Sequence, residues 1–256
     1  MMIEKGGQQI ASVEAWLRAA PPKSGEAHWK DGRSAKECAQ AWVAALPDLP
    51  GEVVELLSSH PDFSPVAEWT AEPEAHVPMD AYRGPPNIDV MVRARDGAGP
   101  FVVAVEAKAD ETFGRTVAER LAQAERYLAG SPGSKAATRV REVTERLVGQ
   151  TPDEVGGLYY QLFTAAAAAL SEAERAGNTR AVLLIHEFVT DATKDELHTK
   201  NAEALDRFAE RVSDGKIAGV EAGQIAGPIR RETWGAALYL GKAVRQTRSA
   251  GPNGSP

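Results

Sequence analysis

The segment between Asn87 and Lys108 limits this chain's fold more than any other. Residues 87–95 (NIDVMVRAR) and 101–108 (FVVAVEAK) are short and apolar, and Asp96-Gly97-Ala98-Gly99 links them. Two such runs around a turn-forming link predict a β-hairpin. With Arg95 opposite Pro100, Asp89 falls opposite Glu106. Strand alternation then puts Asp89, Glu106 and Lys108 on one face. Opposed cross-strand residues have Cβ atoms about 5 Å apart. Carboxylates that close repel, so the pair destabilises the fold unless a cation lies between them. On the other face Ile88, Val90, Val92 and Ala94 match Phe101, Val103, Val105 and Ala107, an apolar surface for helices to cover. A slip of one residue would bury the charges and expose that surface, which fixes the register. A slip of two would leave the carboxylates on a diagonal.

The rest of the composition narrows the class. At 256 residues, the chain is long enough for one large domain. No apolar run approaches the roughly 20 residues of a membrane span, and the N-terminus lacks the apolar core of a secretory signal. The single cysteine, Cys38, excludes an internal disulfide and multi-cysteine structural zinc. A cytoplasmic protein is the expectation. The net charge of −7 argues against a general nucleic-acid coat but leaves room for a local basic groove. Two basic clusters stand out: Arg230, Arg231, Lys242, Arg245 and Arg248, and Lys23, Lys30, Arg33 and Lys36. Each reads equally well as a solvated surface or as a nucleic-acid footprint.

Periodicity predicts helices over residues 10–19, 34–45, 51–58, 116–128, 134–148, 199–212 and 234–244, and strands over 66–70 and 181–189. Residues 71–86 read as irregular, and 217–225 as a candidate strand. Thr151-Pro152-Asp153-Glu154 has the cap, proline and glutamate of a helix start, so a helix is expected from there to Arg175. Residues 250–256 read as a disordered tail. The order gives an α/β chain, a mixed sheet flanked by helices, as one domain over 1–249.

These residues carry a resemblance. The arrangement resembles the PD-(D/E)xK nuclease superfamily, whose restriction-endonuclease-like core runs αβββαβ. Asp89 stands where that superfamily has its lone aspartate, and Glu106-Ala107-Lys108 matches its (D/E)xK. The residues before Asp89 are Pro86-Asn87-Ile88, so the proline-aspartate of the name is missing. The resemblance covers about 34–189, with additional helices at both ends. It implies that the helix carrying Glu37 supplies an extra acid, and that Gln161 is the glutamine of a RecB-like branch. It further implies a magnesium or manganese ion held by Asp89, Glu106 and the main-chain carbonyl of Ala107. Lys108 would orient or deprotonate the attacking water. Hard divalent cations want oxygen ligands and keep several waters, so few protein donors are needed.

Several of these residues have competing readings. Asp89 and Glu106 also fit an exposed polar edge, although Val102 and Ala104 make their face apolar nearby. Glu37 equally fits a capping box with Ser34. Gln123, four residues before Tyr127, competes with Gln161 for the glutamine role. Asp110 and Glu111 follow Lys108 closely and read as solvated acids. His28, His60, His76, His186 and His198 show no zinc-ligand spacing, and His186 reads as a core or edge histidine. The expectation is a divalent-metal-dependent nuclease acting on DNA, in phage defence or DNA repair. The alternative is a non-catalytic nucleic-acid-binding or regulatory protein on the same fold. A homodimer through residues 234–244 or 199–212 is left open.

Overall fold

A computed structural model describes residues 1–22, 25 and 29–247. His28, Lys23, Arg248 and the expected tail at 250–256 lie outside the described residues. The elements are β1 (Met2–Lys5), β2 (Gln8–Ile10), α1 (Val13–Ala19), α2 (Ser34–Ala45), α3 (Gly51–Ser58), β3 (Glu68–His76), β4 (Asn87–Asp96), β5 (Gly99–Lys108), α4 (Val117–Gly130), α5 (Ala136–Val148), α6 (Tyr160–Arg175), β6 (Arg180–Val189), α7 (Asp195–Val212), β7 (Ile225–Ile229) and β8 (Ala237–Gln246). The strands form one mixed sheet in the order β2-β1-β3-β4-β5-β6-β8-β7. β3–β4 and β4–β5 are antiparallel, whereas β5–β6 and β6–β8 are parallel.

Each face of the sheet has its own core. Phe101, Val103, Val105 and Ala107 of β5 pack with Trp16, Trp42 and Leu56, under α1, α2 and α3. Val102 and Ala104 pack with Phe163, Phe208 and Val140, under α5, α6 and α7. Central strands covered on both faces need apolar side chains at nearly every position, and all of β6 before Val189 is buried. Glu106 and Lys108 continue the even-numbered face of β5, so they lie on the α6 side.

The hairpin register is the predicted one, with Arg95 opposite Pro100 and Val90 opposite Val105. The paired rungs end at Val90–Val105, one short of Asp89. The apolar set divides at the same level: Val90, Val92 and Ala94 join the α2 face, but Ile88 joins the α6 face. The turn is also tighter than expected, since Asp96 and Gly99 themselves pair.

Five elements differ from the periodicity reading, among them β7, which runs over Ile225–Ile229 and shares only Ile225 with the candidate strand at 217–225. Ile10 belongs to β2, and α1 begins only after the Ser12 cap, whose side chain accepts the Ala15 amide. β3 runs on to His76, through a segment expected to be irregular. Residues 152–157 form turns, not a helix: Thr151 and Glu154 bond as a cap would, but the chain then bridges back to Thr116 through Tyr159, and α6 starts at Tyr160. Residues 234–244, expected to be a helix, contribute most of β8, an interior strand between β6 and β7. That removes one of the two suggested dimer faces. The apolar side of α7, including Leu205, Phe208 and Val212, is buried in its own core. Among the described residues no helix is long and apolar enough to cross a membrane.

Candidate functional site

Where β4 and β5 separate, their side chains take over from the sheet pairing. The Ala107 amide donates to Asp89 Oδ2 at 2.7 Å. The Asp89 carboxylate thereby meets the Glu106 carboxyl, and the two lie within hydrogen-bonding reach. Glu106 is 1 % exposed and its Oε1 has no hydrogen-bond partner. Lys108 is 4 % exposed, with Nζ 3.9 Å from Glu106 Oε1 and 3.1 Å from the Ala107 carbonyl oxygen, to which it donates. The ammonium also lies 5.3 Å from the centre of the Phe113 ring.

A third acid joins these from β3. Glu74 lies across from Asp89, between the paired rungs Pro73–Val90 and Ala75–Ile88. Its φ of 47° is a left-handed conformation that non-glycine residues seldom adopt. Lys5 from β1 anchors this turn by donating to the Pro73 and Glu74 carbonyl oxygens at 2.7 and 2.6 Å. The Asn87 side-chain amide donates to the Glu74 carboxyl. Glu74 was not singled out from sequence because β3 was expected to end at residue 70. The alternation Glu72-Pro73-Glu74 in an otherwise apolar-odd strand was the available signal.

Asp89, Lys108, Glu74, Glu111 and Gln161 line one cleft of about 310 Å³, with Asn87 and Arg33 at its wall. Glu111 thus turns inward rather than out to solvent, and Asp110 pairs with Arg33 at 2.7 Å. Gln161 enters the cleft from the first turn of α6. Glu37 does not. Its Oε1 accepts the Gly32 amide at 2.7 Å, and it faces a separate hollow bounded by Thr190 and Arg245. The capping box with Ser34 is absent too, because the helix cap falls on Arg33. Gln123 accepts from Arg115 and Arg120 and does not line the cleft. His186 is fully enclosed: Trp42 donates to its Nδ1 at 3.3 Å, and its Nε2 lies 2.9 Å from Glu52.

The charges follow from this crowding. Burial raises the Glu106 pKa well above the ordinary carboxyl value, and the Asp89 charge raises it further. Burial and Asp89 together push Glu74 up to about 7. Burial also raises Glu111, although the Lys108 charge opposes it. For Lys108, burial acts to lower the pKa, but Glu106, Asp89 and Glu111 outweigh it and the net shift is upward. The lysine is therefore held as a cation. Two like charges about 5 Å apart at an effective dielectric near 20 repel by about 3 kcal/mol. One ammonium cannot offset that for four acids.

A hard divalent cation fits this donor set. Glu106 Oε1 is buried without a hydrogen-bond partner, Lys108 Nζ stands 3.9 Å from it, and the acids converge, a crowding that a bound cation or proton uptake would relieve. The Ala107 carbonyl, the third expected oxygen, already accepts from Lys108. Among the described residues there is no ready cage of three or more His, Cys, Asp or Glu side chains. A cation here would need the coordination of magnesium or manganese, in which water supplies the remaining ligands.

Residues 9–247 match the domain of unknown function DUF6946. The chain belongs to this family. No curated protein and no solved structure matches it.

Proposed function

We propose that this DUF6946 chain is a divalent-metal-dependent nuclease with a PD-(D/E)xK-like site, hydrolysing phosphodiester bonds in DNA. The supporting observation is that Asp89 and a charged Lys108 line a cleft that Gln161 also reaches, with Glu106 buried beneath them rather than at the cleft wall. Asp89 and Glu106 would hold the cation, with the Ala107 carbonyl as a third oxygen. When bound, the ion would supply an acidified water and offset phosphate charge. Lys108, kept protonated by its carboxylate neighbours, would orient that water and stabilise charge on the phosphate oxygens rather than act as a base. Gln161, at the start of α6, would position the substrate through its amide. Phage defence or DNA repair is the proposed setting, by analogy of fold.

The test is cleavage of single- and double-stranded DNA and RNA by the purified chain with manganese, magnesium or a chelator. Metal-dependent cleavage of DNA is expected, lowered at least ~100-fold by Asp89→Asn, Glu106→Gln or Lys108→Met. Full burial of Glu106 favours a second reading, a non-catalytic nucleic-acid-binding or regulatory protein on this fold. Absence of cleavage of every substrate, with no manganese uptake by calorimetry, would replace the first reading with the second.

A further inference from the structure

Beside the acidic cleft lies a second hollow, of about 350 Å³, with the opposite charge. Arg115, Arg120 and Arg139 line it, with Tyr160, and no carboxylate does. Asn87 and Gln161 line both hollows, so two neutral amides form the border between the acidic and basic sides.

The arginines are not equivalent. Arg139 is neutralised by Asp80, which it meets through Nε at 2.6 Å and Nη2 at 3.0 Å. Arg115 and Arg120 instead converge on one neutral acceptor. Their Nη1 atoms donate to the same Gln123 Oε1, at 3.3 and 2.7 Å. Neither makes an ion pair among the described residues. Bringing two guanidinium groups to one amide oxygen is unfavourable by itself, and an anion that both could fork onto would relieve it.

The basic residues prominent in the sequence behave differently. Arg33 pairs with Asp110, Lys36 with Asp31, Arg231 with Asp214, Lys242 with Glu187 and Arg245 with Glu52. Internal ion pairs thus engage members of both clusters, whereas Arg115 and Arg120 keep their charge available.

We propose that Arg115 and Arg120, held by Gln123, form a subsite for a second backbone phosphate of the nucleic-acid strand whose scissile phosphate enters the acidic cleft. This rests on the nuclease reading for the strand's identity. A polyphosphodiester suits the site because it can cross from one hollow to the other and place successive charges in each. It also gives Gln123 a role as the residue that sets the two guanidinium groups, outside the cleft itself.

The experiment measures fluorescence anisotropy of labelled 20-nucleotide single-stranded DNA, duplex DNA and RNA with the full chain. Lys108→Met serves as background, with magnesium present, over a range of salt. Arg115→Gln with Arg120→Gln should weaken binding at least 10-fold at ~100 mM salt. It should also flatten the slope of log affinity against log salt by about 0.7–0.9, as expected for one phosphate no longer neutralised. Arg18→Gln, the same charge change as Arg115→Gln alone but on α1 at the other sheet face, should change neither. Arg115 is exposed, so Arg115→Gln alone keeps the test independent of folding, and Arg120→Lys should preserve most of the slope. The proposal is overturned if the paired variant behaves like Arg18→Gln, if none of the three nucleic acids binds, or if a polyglutamate peptide of matched charge competes equally well. Binding that depends on the arginines in a wild-type chain that never cleaves would support the subsite while rejecting the nuclease. Cleavage with arginine-independent binding would do the reverse.

Discussion

Glu74 is the residue whose chemistry differs most from its sequence appearance. Its carboxyl titrates near 7 in the folded chain against an ordinary value of 4.5, because burial and Asp89 both disfavour the charge. Below about pH 4.5 the folded and unfolded chains both hold this proton, so the group leaves stability unchanged. Between about 4.5 and 7 only the folded chain holds it, so stability falls as pH rises, and above 7 the loss is complete. The gap corresponds to about 3 kcal/mol, which partial exposure reduces to about 1–2. Glu74→Gln should therefore stabilise the metal-free protein by about that amount at pH 8 and by little at pH 4.5. Urea denaturation at the two pH values checks this, and an equal effect at both would refute the assignment. Asp89, Glu106 and Lys108 were legible as a set because strand alternation is arithmetic once a turn is fixed. Glu37 was not, because spacing places a residue on a helix but not against a particular neighbour. It serves the Gly32 amide instead.

At the scale of elements, legibility followed how local the determining forces were. α2 and α3 have the predicted bounds, since prolines and helical spacing mark them. β8 departs from the helix reading because its Ala and Leu content suits a helix, and an interior strand covered on both faces shows no period of two. The hairpin held because its turn chemistry and its apolar face agree. Asp96 locks its corner: it accepts from the Ser64 and Ala98 amides at 3.0 and 2.9 Å and takes both Arg180 nitrogens, at 2.9 and 2.7 Å. Burial opposes its charge, but Arg180 and those amides hold its pKa below the ordinary value. Arg180 also lies 5.1 Å from the Phe63 and Phe101 ring centres. Asp96→Ala would strand that arginine, and a loss of about 3–5 kcal/mol is expected in chemical denaturation. A loss under about 1 kcal/mol would show that the pair does not anchor β4 to β6.

Across the whole molecule, the site is where β3, β4, β5 and α6 meet. A cation bound there should stabilise the fold as a unit. At about 100 times its dissociation constant, manganese should add roughly 2.7 kcal/mol. For a domain of this size that raises Tm by about 5–10 °C. Asp89→Asn should remove the shift, and an unchanged Tm in the wild type would argue against any cation in the cleft. The amino-acid sequence by itself determined the α/β class, the hairpin register and the meeting of Asp89 with Glu106 and Lys108, because periods of two and 3.6 and turn chemistry act over a few residues. Only the tertiary structure decided that Glu74 joins them, that Glu37 does not, and that Arg115 and Arg120 make no ion pair among the described residues while more conspicuous basic residues are neutralised. Those outcomes depend on which elements pack together, and burial and charge pairing are set by neighbours far apart in the chain.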